Sequence, residues 1–176
     1  MDIDYNALSS WAAVIAVLIA VMGIWLEARR TAISRGVDTL MKYSSEFSSP
    51  EFLERRVRFA RMLKRKMSGK FNPRQENEFM AMATYFLDHY EVIGFLLRKK
   101  ILDNQLVYVY YSYTLFGYWR FLKEIIHTCQ VDDPTLWEDV EWMYMEFVRL
   151  YKKRIPNAVI EFDDEKIWKF IETELS

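Results

Sequence analysis

The chain is poor in the residues that interrupt helices and cross-link folds. Five Gly and four Pro among 176 residues leave little material for the tight turns of a many-stranded sheet, so long helices are predicted. One cysteine, Cys129, excludes an internal disulfide and fits a reducing compartment. Two histidines, His89 and His127, with that single thiol fall short of a zinc site, and no metal or other cofactor is expected. There are no internal repeats and no low-complexity tracts. The length suits one folded domain with a core and leaves little room for a second.

Apolar residues are plentiful at 52%, and aromatic residues reach 16%. The net charge of −1 hides a division along the chain. Residues 27–74 carry 13 Lys+Arg against 5 Asp+Glu, whereas residues 132–176 carry 6 against 12. The two ends therefore suit different surroundings or partners.

Residues 6–26, NALSSWAAVIAVLIAVMGIWL, contain no charge. As a helix this stretch covers about 31 Å, close to the hydrocarbon thickness of a bilayer. The acidic start, MDIDY, lacks the basic region of a cleaved signal peptide, so a membrane anchor is predicted. Asp2 and Asp4 precede it, while Arg29, Arg30, Arg35 and Lys42 follow. That asymmetry puts the amino end outside and the remainder in the cytoplasm. Trp11 and Trp25, about 21 Å apart along the axis, suit the two interfaces. Within the span, Ser9, Ala13, Ala16, Ala20 and Gly23 form a stripe of small residues, with Val14, Leu18 and Trp25 lying off it. Such a stripe lets membrane helices approach closely and predicts self-association. A ring built this way would have few polar groups in its lumen beyond Asn6, Ser9 and Ser10, and would gate by wetting.

The first helix is expected to continue to about Ser45. Ser49-Pro50, Asn72-Pro73 and Asp133-Pro134 each pair a capping side chain with a proline suited to the first helical position. Asp103 and Asp163 offer two more caps. Helices are predicted near 50–68, 73–100, 103–129, 134–154 and 163–175, giving an all-α bundle over residues 47–176 after an anchoring region at 1–46. In LVYVYYSYTLFGYW, residues 106–119, the tyrosine alternation also fits a strand. Val107, Tyr111, Leu115, Tyr118, Leu122 and Ile126, however, hold a helical stripe too long for most strands. These aromatics suit core or subunit packing, or the stacking of RNA bases.

Two candidate sites emerge. Residues 55–74 hold nine cations and no acid. Leu53, Val57, Ala60, Leu63 and Met67 form an apolar stripe, opposite a basic face of Arg55, Arg56, Arg58, Arg61, Lys64, Arg65 and Lys66. That face suits anionic lipid headgroups, RNA phosphates or plain solvation. The second candidate is Arg120 with His127 in RFLKEIIH. A histidine that titrates near neutrality and a two-pronged cation suit metal-independent RNA cleavage, and seven positions bring them to one face. Short pairs also recur by chance, and Glu124 lies four residues after Arg120, where an ordinary salt bridge forms.

An outward amino end, a cytoplasmic helical domain and an Arg-x(6)-His pair together resemble the small HEPN-like membrane accessory proteins of type VI-B CRISPR systems. The block EVIGFLLRKKILDNQLVYVYYSYTLFGYWRFLKEII is also similar to segments of other bacterial membrane-anchored helical families. The resemblance implies a ring-shaped homo-oligomer in the bacterial inner membrane. It would act as a pore that depolarises the infected cell once the RNA-guided effector is triggered. HEPN ribonucleases place a small polar residue directly after the arginine, where this chain has Phe121. The resemblance therefore implies a structural and regulatory HEPN-like domain, with a membrane-tethered ribonuclease or a non-enzymatic binding module as the other readings.

Overall fold

The computed structural model describes residues 5–156 and 163–176, together with all their side chains except those of residues 5–16 and Ala32. Every regular element is helical, and there is no strand among the described residues. The all-α class expected from sparse turn residues is what the chain adopts.

The first helix, α1 (Tyr5–Phe47), runs 43 residues without a proline, about 64 Å along its axis. It ends two residues beyond the expected Ser45. α2 (Pro50–Met67) starts where predicted: the Ser49 hydroxyl accepts the Phe52 N–H at 3.2 Å, and Pro50 takes the first position. Gly69, at φ +68°, turns the chain away. Asn72 caps a short 3₁₀ turn, Pro73–Gln75, before α3 (Glu76–Arg98). Asp103 accepts the Gln105 and Leu106 N–H groups and opens α4 (Asn104–Cys129). α5 is Glu138–Arg154, and α6 (Asp164–Leu175) starts from the Asp163 cap.

The expected start at Pro134 is not where α5 begins. Asp133 spends its carboxylate on the Thr135 N–H and hydroxyl, and the chain continues as turns. Trp137 then takes a left-handed conformation (φ 57°), uncommon for a bulky residue, which breaks helical continuity. Its ring is buried and its indole N–H donates to Asp88 of α3 at 2.9 Å. The helix restarts beyond it, where Glu91 of α3 accepts the Val140 N–H at 3.0 Å. Tertiary contacts with α3, invisible in the local pattern, set this boundary.

α3 packs along α5, α2 along α6, and α4 lies against α3, α5 and α6. The α3–α5 approach is close enough that a Cβ on Gly94 would collide with the Asp139 backbone. The α4 stripe of Val107, Tyr111, Leu115, Tyr118, Leu122 and Ile126 is wholly inaccessible to solvent at all six positions. The helical reading of residues 106–119 therefore holds, and these tyrosines fill the core. Tyr110 and Tyr113 of the same helix remain exposed.

Among the described side chains of α1, the buried ones lie in its last third. Gly36, Leu40 and Phe47 are buried, while residues 17–31 are exposed throughout. Among the described residues no helix is long and apolar enough to cross a membrane. The first half of the expected span, residues 6–16, lies outside the described side chains, as do Ser9, Ala13 and Ala16 of the small-residue stripe.

Candidate functional site

Arg120 and His127 share a face of α4, as their spacing requires, yet each is held by a different neighbour. Arg120 forms an ion pair with Asp164 at the start of α6. His127 lies 3.1 Å from Glu141 of α5, whose other carboxylate oxygen accepts from Gln130 at 3.2 Å. The partner of Arg120 is thus Asp164, not the Glu124 that helical spacing suggested. Both side chains are half exposed, at 53%. A phosphate-holding cation and a proton shuttle need to converge on one reacting group. Here the carboxylates of Asp164 and Glu141 engage them from separate helices, α6 and α5.

The basic helix α2 divides into inward and outward cations. Its buried residues are Phe52, Phe59, Ala60, Met62 and Leu63, while Leu53 is 43% exposed. The inward face is therefore rotated from the expected stripe of Leu53, Val57, Ala60, Leu63 and Met67. Arg56 falls on the rotated stripe, in register with Phe52, Phe59 and Leu63, and turns into the protein. Arg55 pairs with Glu51 at 2.8 Å and lies over the Tyr85 ring. Arg58 pairs with Glu78. Lys64 lies over Trp168, and Lys66 over Phe79 at 4.4 Å. Arg65 reaches Gln75 at 3.5 Å, and Arg61 is exposed. Most of the outward cations are thus already committed to local partners.

Arg56 is the residue that charge counting placed wrongly. Its guanidinium donates to both carboxylate oxygens of Glu174 in α6, at 2.8 and 2.5 Å. Tyr118 donates to the same carboxylate at 2.7 Å. The side chains of Arg56 and Glu174 are only 17% and 3% exposed. A two-pronged arginine meeting a buried carboxylate satisfies both charges at once. Burial drives the Tyr118 hydroxyl well above its ordinary pKa, so it stays a donor.

Beside this network sits an aromatic box around His89. Phe47 stacks on its ring at 5.3 Å, Phe52 meets it edge-on at 4.9 Å, and Tyr43, Tyr90 and Tyr111 close the sides. Among the described residues, His89 Nε2 and the Tyr111 hydroxyl are buried without a hydrogen-bond partner. Desolvation lowers the His89 pKa to about 4, so the ring is neutral at pH 7. Glu91, two residues on, moves oppositely: burial raises its pKa to about 7, against the N–H groups it accepts from α5.

Residues 10–147 match the family described as a domain of unknown function (DUF4760). The chain belongs to the DUF4760 family. No curated protein and no solved structure matches it. The DUF4760 match opens within α1 and closes within α5, so it includes Arg56, His89, Glu91, Tyr118 and the Arg120–His127 pair. Glu174 lies outside the DUF4760 stretch, although it completes the network that Arg56 and Tyr118 begin. Sequence reading had missed this network and the His89 box. The signal was present for Arg56, whose spacing from Phe52 and Phe59 is that of a core residue.

The other feature that DUF4760 residues build is the bare segment of α1. Val17, Leu18, Ile19, Val21, Met22, Ile24, Trp25 and Leu26 are each 43% exposed or more. Ala20 and Gly23 of the small-residue stripe are exposed among them. Among the described residues, nothing beyond the backbone of its own helix turn lies within 4 Å of where a Gly23 side chain would begin. A run of large apolar groups facing outward on all sides of a helix is unstable in water unless lipid or protein covers it. Arg29 follows directly, its guanidinium 5.4 Å from the Trp25 ring.

Proposed function

We propose that this chain is a single-span, self-associating membrane protein of the bacterial inner membrane, with its amino end outside and its helical domain in the cytoplasm. What supports this reading is the exposed apolar surface of residues 17–26, which no helix of the bundle covers and which leads directly into cations at Arg29 and Arg30. Ala20 and Gly23 supply the close-approach face for a second copy, as Ser9, Ala13 and Ala16 would further along. In keeping with the resemblance to type VI-B CRISPR accessory proteins, we assign the oligomer the role of a pore. It depolarises the membrane when an RNA-guided effector is triggered during phage infection. The bundle serves as its structural and regulatory part.

The test uses cells expressing the chain with such an effector. Membrane potential, followed with a voltage-sensitive dye, collapses on effector activation in the wild type. It is retained when Ala20 and Gly23 are both replaced by Ile. An unchanged potential in the wild type removes the pore. Electron microscopy of the detergent-purified chain tests the assembly separately, since the reading requires a closed ring.

The ribonuclease reading has less support, because Arg120 and His127 are tied to Asp164 and Glu141 rather than to each other. RNA cleavage by the purified chain, abolished in His127→Ala, would restore it. An anchored binding module without pore or enzyme activity is favoured instead if the chain purifies as a monomer.

A further inference from the structure

Where α1 meets the bundle, its last exposed turns and the link between α3 and α4 enclose a groove of about 620 Å³. That is within the usual range for small-ligand sites. The floor is apolar: Ile33, Val37 and Leu40 from α1 face Ile101, Leu102 and Leu106. Gly36 makes the junction possible, since a Cβ there would collide with the Ile101 carbonyl oxygen. The mouth carries two cations, Arg29 and Lys100. Among the described residues neither forms an ion pair, and the only partner shown for Arg29 is the Trp25 ring.

Asp103, the one acid of the groove, has its carboxylate turned to the N–H groups that open α4. Asn104 donates to Glu146 at 2.7 Å. The result is a long apolar floor with two cations to one acid at its rim, a net positive mouth, Lys100 being held there at φ 58° by the turn that ends α3. Apolar surface of this extent favours a hydrocarbon chain, and the two cations favour a single negative charge at one end of it.

We propose that this groove binds one anionic phospholipid, its phosphate between Arg29 and Lys100 and an acyl chain along Val37, Ile101 and Leu106. The choice of a lipid over a soluble anion rests on the membrane reading above, because the groove opens on α1 just past the bare apolar segment. A lipid here would join the rod to the bundle at the point where they part.

The experiment uses the full chain in detergent and lysophosphatidylglycerol carrying a diazirine on its acyl chain, with lysophosphatidylcholine as the uncharged comparison. After photolysis, peptide mass spectrometry locates the label. The expected result is labelling in residues 33–40 and 101–106, at least about tenfold stronger for the anionic lipid. The double variant R29Q/K100Q loses that preference. Val37→Trp, which fills the floor and leaves the charges, loses labelling by both lipids. Circular dichroism confirms that both variants keep their helices. Equal labelling by the two lipids, labelling confined to residues 17–26, or wild-type labelling in R29Q/K100Q overturns the site. Vesicle flotation of the same preparation separates the two ideas. Groove labelling in a chain that does not float retains the anionic amphiphile site and refutes the membrane reading, while flotation with an unlabelled groove does the reverse.

Discussion

Acidification from pH 7.5 to pH 5 will act on the bundle through two neighbouring residues of α3 with opposite signs. His89 has its pKa lowered to about 4 by burial, against about 6.5 for an unfolded histidine. Its contribution to stability is therefore complete above pH 6.5 and is lost as pH falls toward 4. Linkage gives a loss of about 2 kcal/mol at pH 5, since the unfolded chain takes up a proton that the aromatic box excludes. Glu91 runs the other way. Its folded pKa of about 7 lies above the unfolded value of 4.5, so its contribution is complete below pH 4.5 and is lost as pH rises through 7. Partial exposure reduces this to about 1 kcal/mol between the same two pH values.

The wild-type chain should thus lose about 1 kcal/mol on acidification. His89→Phe suits the box of Phe47, Phe52, Tyr43, Tyr90 and Tyr111 and forfeits no hydrogen bond at Nε2. It should reverse the sign, leaving the protein about 1 kcal/mol more stable at pH 5 than at pH 7.5. Glu91→Gln keeps an acceptor for the Val140 N–H and should deepen the acid loss to about 2 kcal/mol. Carboxylates held low, such as Asp133, Asp163 and Glu146, stay ionised over this range. Urea unfolding of the detergent-solubilised chain at the two pH values, followed by circular dichroism, measures each difference. If His89→Phe and wild type change in parallel within about 0.5 kcal/mol, the buried neutral histidine is not what senses acid.

The Arg56–Glu174 pair gives a different signature. Glu174→Ala should cost about 3–5 kcal/mol by leaving a buried guanidinium unpaired, whereas the double variant R56M/E174L should recover most of that loss. Equal costs for single and double variants in urea titrations would refute the pairing. Arg120→Ala and His127→Ala remove half-exposed ion pairs and should each change stability by less than about 1 kcal/mol. Gly94→Val should lower stability by more than about 3 kcal/mol, because α5 must retreat from α3; a change below 1 kcal/mol would show that the helices yield freely.

Much of this architecture could be read from local pattern. Ser49, Asn72, Asp103 and Asp163 marked helix starts because capping is a contact over two or three residues, and four such caps formed where spacing put them. The α4 stripe was legible for the same reason: one helical period held over six positions, longer than the tyrosine alternation that also fitted a strand. The start of α5 was not legible, since Asp88 and Glu91 decide it from 49 residues away. Nor was Arg56, where a run of cations concealed one whose partner lies 118 residues along the chain. The Arg120–His127 pair shows the limit of spacing from the other side. Helical spacing established a shared face, but the residues each side chain meets come from α6 and α5, which spacing alone could not supply.

The position of Phe47 connects these observations. It is the last residue of α1, and its ring stacks on His89, meets Tyr111 edge-on at 5.2 Å and lies 4.9 Å from the Arg56 guanidinium. The rod therefore ends beside the buried Arg56–Glu174 ion pair. α1 has no proline and no break between its bare apolar segment and this ring, and an unbroken helix moves as one body over several turns. A shift of neighbouring rods against one another must then be accommodated where Phe47 sits. Aliphatic packing can slide there at small cost, but a buried Arg56–Glu174–Tyr118 network has one satisfied arrangement and large penalties for partial ones. Under the proposed self-association this makes the joint stiff and two-state, so that movement of the bundle and movement of the rods are energetically coupled.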